Sequence, residues 1–307
     1  GAVCGSTAMV TMMHYAAAGV VEAHGPRSVR EAVARGEHLL TLAFSEAGSR
    51  SQFWVPQSTA TKDGANVRLD ASKSWVTSAG SARSYVWSSR PLAAEGPMSL
   101  WLVPSDAAGL SQPAPFDGLG LRGNGSTPVR AEGVSVSADA LLGTDGAGLD
   151  IALGVVLPTF LVCSAAVSLG LMEASVAAAA QHLGATSYTH LDKSLAQIPT
   201  VRRDYAGMRL AVDRERAMLL DTLNALETSR PDAMLRVLEV KASAGETAID
   251  VTETAMKVCG GAAFRKEVGI ERRFRDARAA RVMAPTTDAL LDFVGRATLG
   301  LPLFGEA

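Results

Sequence analysis

The stretch Ile151 to Met172, IALGVVLPTFLVCSAAVSLGLM, carries no charge over a length sufficient to span a bilayer. Two folds compete for it: a membrane helix, or the all-round apolar helix at the centre of a large bundle. Its flanks are Asp150 and Glu173 with no basic or aromatic belt, and its interior is rich in Ala, Ser and Gly around Pro158. These features favour the bundle, because a membrane span is ordinarily anchored by positive charge and interfacial aromatics.

Further along, apolar periodicity predicts helices over about 150 to 184, 194 to 228 and 231 to 258, the last with Pro231 in its first turn. A final pair of helices is broken inside FRDARAARVMAPTTDALLDF, Phe274 to Phe293. Proline at 285 cannot continue the first of them, while Thr286, Thr287 and Asp288 suit the capped start of the next. In the other direction, all four tryptophans (Trp54, Trp75, Trp87, Trp101) and seven of the thirteen prolines fall between residues 51 and 130. Short alternating runs there, such as NVRLDAS, SYVWSS and MSLWLVPS, separated by DG and GP turns, predict antiparallel β structure. Before it, Met9 to Val20 and Ser28 to Leu40 read as helices.

The expected fold is α+β and multidomain: a helical N-terminal segment (1–42), a middle antiparallel β barrel or sandwich (43–141) and a C-terminal antiparallel four-helix bundle (147–307). The opening GAVCGSTAMVTMMHYAAAGVV reads as the middle of a helical unit, so residues are expected upstream. Lys plus Arg (29) nearly balance Asp plus Glu (31), which argues against a nucleic-acid binder. Cys4, Cys163 and Cys259 lack metal or disulfide spacing and read as buried thiols of a cytoplasmic protein, and the five histidines show no paired spacing for a metal.

Four segments, in order and at matching spacing, resemble the acyl-CoA dehydrogenase superfamily. FSEAGSR (Phe44 to Arg50) is similar to its TEPxAGSD segment, and KSWVTSAG (Lys73 to Gly80) to its KxWITNA strand. GLGLRGNGSTPVRAEGVSV (Gly118 to Val136) with LLGTDGAGLD resembles its LGxRGSxT run, and CGGAAFRKEVGIERRFRDAR (Cys259 to Arg278) its GGxGYxxExPxERxxRDAK. The resemblance implies FAD as cofactor, an acyl-CoA as small-molecule substrate, an external electron acceptor or reductase, and a homodimer or homotetramer. It also implies flavin contacts for Phe44, Ser45, Gly48, Ser49, Trp75, Thr77, Gly260, Gly261, Thr286 and Asp288. Each has a plainer reading beside it. Trp75 and Thr77, two apart on one strand face, suit a β core; Ser45 and Ser49 suit turns; Gly260 and Gly261 suit a helix stop. Arg272, Arg273, Arg275, Arg278 and Arg281 read as a solvated or subunit-bridging face with Glu271 and Asp276 as partial partners.

The catalytic residue is where the chain departs from the family. The family's base glutamate falls on Ala284, and its alternative location on Thr159; neither takes a proton. The bridging R…FG…Q signature falls on Tyr188, Leu191, Asp192 and Pro199, and the glutamine before the double glycine on Lys257. Three readings follow: an FAD oxidoreductase of acyl thioesters with an unusual base, for which Asp288 is the weak candidate; a flavin-dependent monooxygenase of the same fold; or a non-catalytic subunit of a heteromer. The small apolar residues Leu157 to Ala166 suit a bulky hydrophobic substrate group or close helix packing.

Overall fold

In the computed structural model, which describes residues 1–50 and 52–304, the chain opens with helices α1 (Gly5–His24) and α2 (Arg27–Ala34). Helix α2 stops six residues short of the expected Leu40. Gly36 takes φ +71°, a conformation that ends the helix with its amide on Val33 O (2.9 Å), and Leu40 already opens a strand.

Seven strands follow: β1 (Leu40–Ala43), β2 (Thr59–Asp63), β3 (Asn66–Val76), β4 (Ser84–Ser89), β5 (Ser99–Pro104), β6 (Leu110–Ser111) and β7 (Thr127–Ser137). They form one sheet in the order β1-β4-β5 and another in the order β2-β3-β7-β6. Pairing is antiparallel as expected, except that β1 runs parallel to β4, Leu42 opposite Val86. Strand β3 alternates buried and exposed positions over Asn66–Leu69, so one of its faces meets water, whereas β4 is buried at every position. Val67, Leu69, Val134 and Val136 of one sheet share a core with Tyr85, Trp87, Trp101 and Val103 of the other.

After β7 come α3 (Gly148–Ile151), a π-helical turn at Ala152–Val156 and α4 (Leu157–Ala185). A short hairpin, β8 (Ser187–Tyr188) with β9 (Lys193–Ser194), precedes α5 (Pro199–Glu227), where Pro199 is the first helical residue. Helix α6 (Ala233–Cys259) starts two residues after Pro231, which lies outside the helix and not in its first turn. Then come α7 (Ile270–Ala277), α8 (Ala279–Val282) and α9 (Thr287–Leu299).

The described chain divides into two compact units. One comprises Met9–Gly118 and Arg122–Phe160, with the sheets; the other comprises Gly1–Ala8, Leu119–Leu121 and the chain from Leu161 onward. The helix beginning at Gly148 is long and apolar enough to cross a membrane, by length and composition. From Leu161 onward its side chains fill a protein core instead: Met172, Val176 and Ala179 pack with Val212 and Leu219 of α5 and Val240, Ala244 and Val251 of α6. Small residues along α4 let neighbouring helices approach closely, which explains its composition.

The arginine run is only partly a solvated face: Arg272 and Arg281 are exposed, whereas Arg273, Arg275 and Arg278 are half-buried. Arg278 reaches Glu253 (2.8 Å) and lies over the Phe274 ring, Arg281 pairs with Glu246, and Arg275 bonds Glu271 and Leu119 O. Asp276 takes no arginine; it is buried and accepts from Leu121 N at 2.6 Å. The helical charge run was legible, but the acidic partners on α6 are long-range in sequence. Of the three thiols expected to be buried only Cys259 is; Cys163 is half-buried, and so is Cys4, whose Sγ accepts from Thr7 N at the start of α1.

In the sheet-bearing unit a single carboxylate gathers a loop. Asp145 accepts from Leu92 N, Ala93 N and Ala94 N, each at 2.8 Å, and from Ser99 Oγ at 2.6 Å. Burial pushes its carboxyl up, but these four donors outweigh it and hold it down at about 2. Asp145→Asn is therefore expected to lower the unfolding free energy by about 1 to 2 kcal/mol, the low part of the range for a charged acceptor because the group is partly solvated. The folded pKa lies below the ordinary value of about 3.9, so the wild type's advantage should be full near neutral pH and vanish as pH falls toward 2. Urea melts of both proteins at pH 7 and pH 2.5 check the magnitude and the sign.

Candidate functional site

Two clusters carry the residues singled out in the sequence, one on each unit. On the sheet-bearing unit, the segment Phe44–Ser49 lies along the end of β3: Ser74 N donates to Ser45 O (2.8 Å) and Ala47 N to Ser72 O (3.3 Å). An ion pair fixes this alignment. Lys73 Nζ, fully buried, donates to Glu46 Oε1 at 2.5 Å, to Ser88 O at 2.6 Å and to Ser88 Oγ at 2.9 Å, and stands 5.0 Å from the Trp87 ring centre. Glu46 also accepts from Ser58 N (3.1 Å), Ser58 Oγ and Gln57 N. Burial lowers the Lys73 ammonium to about 8 against the pull of Glu46. Burial would raise Glu46, yet the Lys73 charge and the surrounding donors hold it below its ordinary value.

Immediately beyond this anchor the strand is distorted. The β3–β7 register shifts between Lys73 and Val76, and Trp75 takes φ +55°. An aromatic residue in the left-handed region costs about 1–3 kcal/mol, and such strain persists only where surrounding structure imposes it. The consequence is exposure: Trp75 is 66% accessible, its indole edge-on to Phe116 at 6.3 Å. The expected shared face with Thr77 is lost, because the bulge breaks the two-residue period. Thr77 is 1% exposed and lies past the strand end, its Oγ1 2.9 Å from Ser126 Oγ. Asn124 orders that turn, accepting from Ser126 N (3.0 Å) and, through its backbone carbonyl, from Ser78 N (2.8 Å). Sequence reasoning assigned no role to Glu46, Asn124 or Ser126, although GNGST and Lys73 were each quoted within a family-like segment; the partners are distant in sequence. Phe44 and Ser49 are buried, Ser45 is half-buried, and Gly48, at φ +100° with open space where a Cβ would stand, is exposed.

On the helical unit, α6 ends at Gly260, whose φ +55°, ψ −142° is a conformation that essentially only glycine adopts. Gly261 has no such backbone demand and nothing within 4 Å of a would-be Cβ, so a bare, open peptide surface remains there. Beside it lies a cavity of about 360 Å³ lined in part by Tyr188, Thr200, Asp204 and Lys257, with Lys257 Nζ donating to Asp204 Oδ2 at 2.7 Å. Elsewhere on the unit, Thr286 caps α9, its Oγ1 accepting from Ala289 N at 3.3 Å. Ala284 is half-buried in the turn before it, and Asp288 is exposed in the first turn of α9, as a helix N-terminal carboxylate. On the sheet-bearing unit, Thr159 turns its hydroxyl onto Val155 O (3.0 Å), just past the π-helical turn, a kind of bulge frequent at functional sites.

Family models match along most of the chain: the acyl-CoA dehydrogenase middle domain over residues 41–134 and the acyl-CoA dehydrogenase C-terminal domain over residues 146–299. The chain belongs to the acyl-CoA dehydrogenase family. Among its relatives, the bovine mitochondrial short-chain specific acyl-CoA dehydrogenase is 28% identical over 256 residues, 82% of this chain and 61% of that protein. Cyclohex-1-ene-1-carbonyl-CoA dehydrogenase of Geobacter metallireducens is 26% identical over 97% of this chain and 80% of its own length. The chain thus spans about three fifths of the length of the bovine relative. Butyryl-CoA dehydrogenase from Megasphaera elsdenii has the same fold, with a TM-score of 0.89 at 21% identity, covering 96% of this chain and 78% of that one. An acyl-CoA dehydrogenase of this fold would hold a flat flavin, and the residues present fit one: an indole is held largely out to solvent at a strained backbone position, edge-on to Phe116.

Because Lys73 and Glu46 are buried together, losing one strands the other. Lys73→Met is expected to destabilise the protein by about 3–5 kcal/mol, and adding Glu46→Gln to recover much of that loss. Denaturant unfolding of the two single variants and the double variant measures the coupling.

Proposed function

We propose that this chain is part of an FAD-dependent oxidoreductase that acts on an acyl thioester. The observation that carries the reading is Trp75, strained and exposed beside the buried Thr77–Ser126 pair, in a chain of this family. In this reading Trp75 would cover one side of the flavin ring, Thr77 would hydrogen-bond its polar edge, and the bare backbone around Gly48 would admit the cofactor's phosphates. Bound FAD supplies the hydride acceptor for oxidation of a carbon–carbon bond. On the helical unit, the helix start at Thr286 by itself offers amide N–H groups and a positive dipole end suited to an electron-rich ligand.

At the positions where the family carries its base, no carboxylate stands among the described residues. The Ala284 methyl has no lone pair, Thr159 gives its hydroxyl proton to a backbone carbonyl, and Asp288 stands exposed. The absence of a base at Ala284 favours a second reading, a flavin-dependent oxygenase of the same fold, whose chemistry requires a shielded pocket but no removal of an α-proton.

Two measurements test the proposal. Trp75→Gly relieves the left-handed strain, so it is expected to raise stability by about 1 kcal/mol while bound FAD falls severalfold; a variant that is stabilised but retains its flavin would remove Trp75 from the site. In an anaerobic titration of the FAD-loaded protein with a panel of acyl-CoAs, bleaching of the flavin absorbance is expected for at least one thioester. A flavin that stays oxidised with every thioester, yet is reduced by an external reductase and then consumes oxygen, overturns dehydrogenation in favour of oxygenation.

A further inference from the structure

Among the charged side chains of the helical unit, Lys241 on α6 is 1% exposed, and among the described residues no carboxylate forms an ion pair with it. A buried lysine is ordinarily paired, because transferring an ammonium from water to a protein interior is costly. Here the partners are two backbone carbonyls: Nζ donates to Met283 O at 3.0 Å and to Pro285 O at 2.7 Å. Those two oxygens belong to the residues on either side of Ala284. The lysine therefore bridges the turn between α8 and α9 at the position where the family carries its base, and from which the Thr286 cap begins α9.

We infer that Lys241 is a positioning residue: its ammonium cross-links the carbonyls flanking Ala284 and so fixes the turn that sets Ala284 and the α9 N-terminus in place. Three considerations support this. Without the clamp, both carbonyls would need other donors, and helix α8 is only one turn long, too short to hold the turn by its own hydrogen bonds. A methionine of similar volume would fill the same space more cheaply, so packing does not explain a lysine. The charges around it also leave Lys241 to the turn. Glu246 of its own helix is engaged with Arg281 of α8, Glu215 of α5 accepts from Ser243 and Thr247 (each 2.8 Å), and Asp288 of α9 is exposed. Burial lowers the ammonium to about 7 in spite of Glu246, so the clamp changes from charged to neutral near physiological pH.

The clamp itself does not depend on the flavin reading; its effect on the cofactor does. The test compares wild type with Lys241→Met by hydrogen exchange of the apoprotein, peptide by peptide, and by FAD titration. The expected result is a variant that folds and is at least as stable as wild type at pH 6, while amides of the 282–292 peptide exchange about tenfold faster and other bundle peptides are unchanged. The wild type's folded pKa lies below its unfolded value of about 10.4, so its folding constant relative to the variant should rise by up to tenfold per pH unit from about pH 7 toward pH 10. Unchanged exchange in the 282–292 peptide overturns the clamp. Faster exchange with unaltered FAD affinity keeps the clamp and refutes the flavin contact at Thr286. If Lys241→Met does not fold, Lys241→Gln replaces it in the comparison: faster exchange confined to the 282–292 peptide supports the clamp, and unchanged exchange there overturns it.

Discussion

The buried pair of Lys73 and Glu46 is the constraint on which the sheet-bearing unit's site depends. Their contact joins the segment after β1 to the end of β3, and the same carboxylate gathers Gln57 and Ser58 while the same ammonium gathers Ser88 of β4. Such a pair contributes little net stability compared with an apolar replacement. What it contributes is position: four chain segments meet at one point, and the next two residues of β3 are left no freedom to continue the pleat. Trp75 takes φ +55° directly after that anchor and is turned out to solvent, while Val76 returns to the core. Strain in one residue is sustained by burial and ion pairing in its neighbour.

This relation also marks how far the sequence can be read. Helix and strand segments were legible because their periods are local: Thr286 caps α9 and the alternating runs form strands, although α5 begins only at Pro199 and not near 194. The apolar pattern from Ser28 runs on to Leu40, but α2 ends at Ala34 because Gly36 takes a left-handed conformation that the pattern does not register. The shared face of Trp75 and Thr77 failed for a different reason. A bulge is set by what the strand pairs with, and neither the register of β7 nor the pull of Glu46 on Lys73 is written in KSWVTSAG.

The arginine run illustrates the same limit in charge. Five arginines within ten residues suggest a face toward water, since exposed ion pairs are worth little and seldom organise a fold. In the folded chain most of them find acceptors on α6 or at carbonyls of distant loops, and Asp276, expected as their partner, instead receives the amide of Leu121. The pattern predicted a charged helix; only the tertiary structure could distribute its charges.

The position of Ala284 brings these strands of argument together. Sequence alone showed that a carboxylate is missing there, and the turn around it remains ordered by a lysine that ion pairing does not account for and that methionine could replace in volume. Had the turn lost its purpose along with the glutamate, nothing would require an ammonium to stay in the bundle interior at the cost of its hydration. A buried cation directed at two carbonyls is a device for fixing backbone geometry. Set beside Ala284, it orders the turn through the two flanking carbonyls and makes no demand on the side chain at its tip.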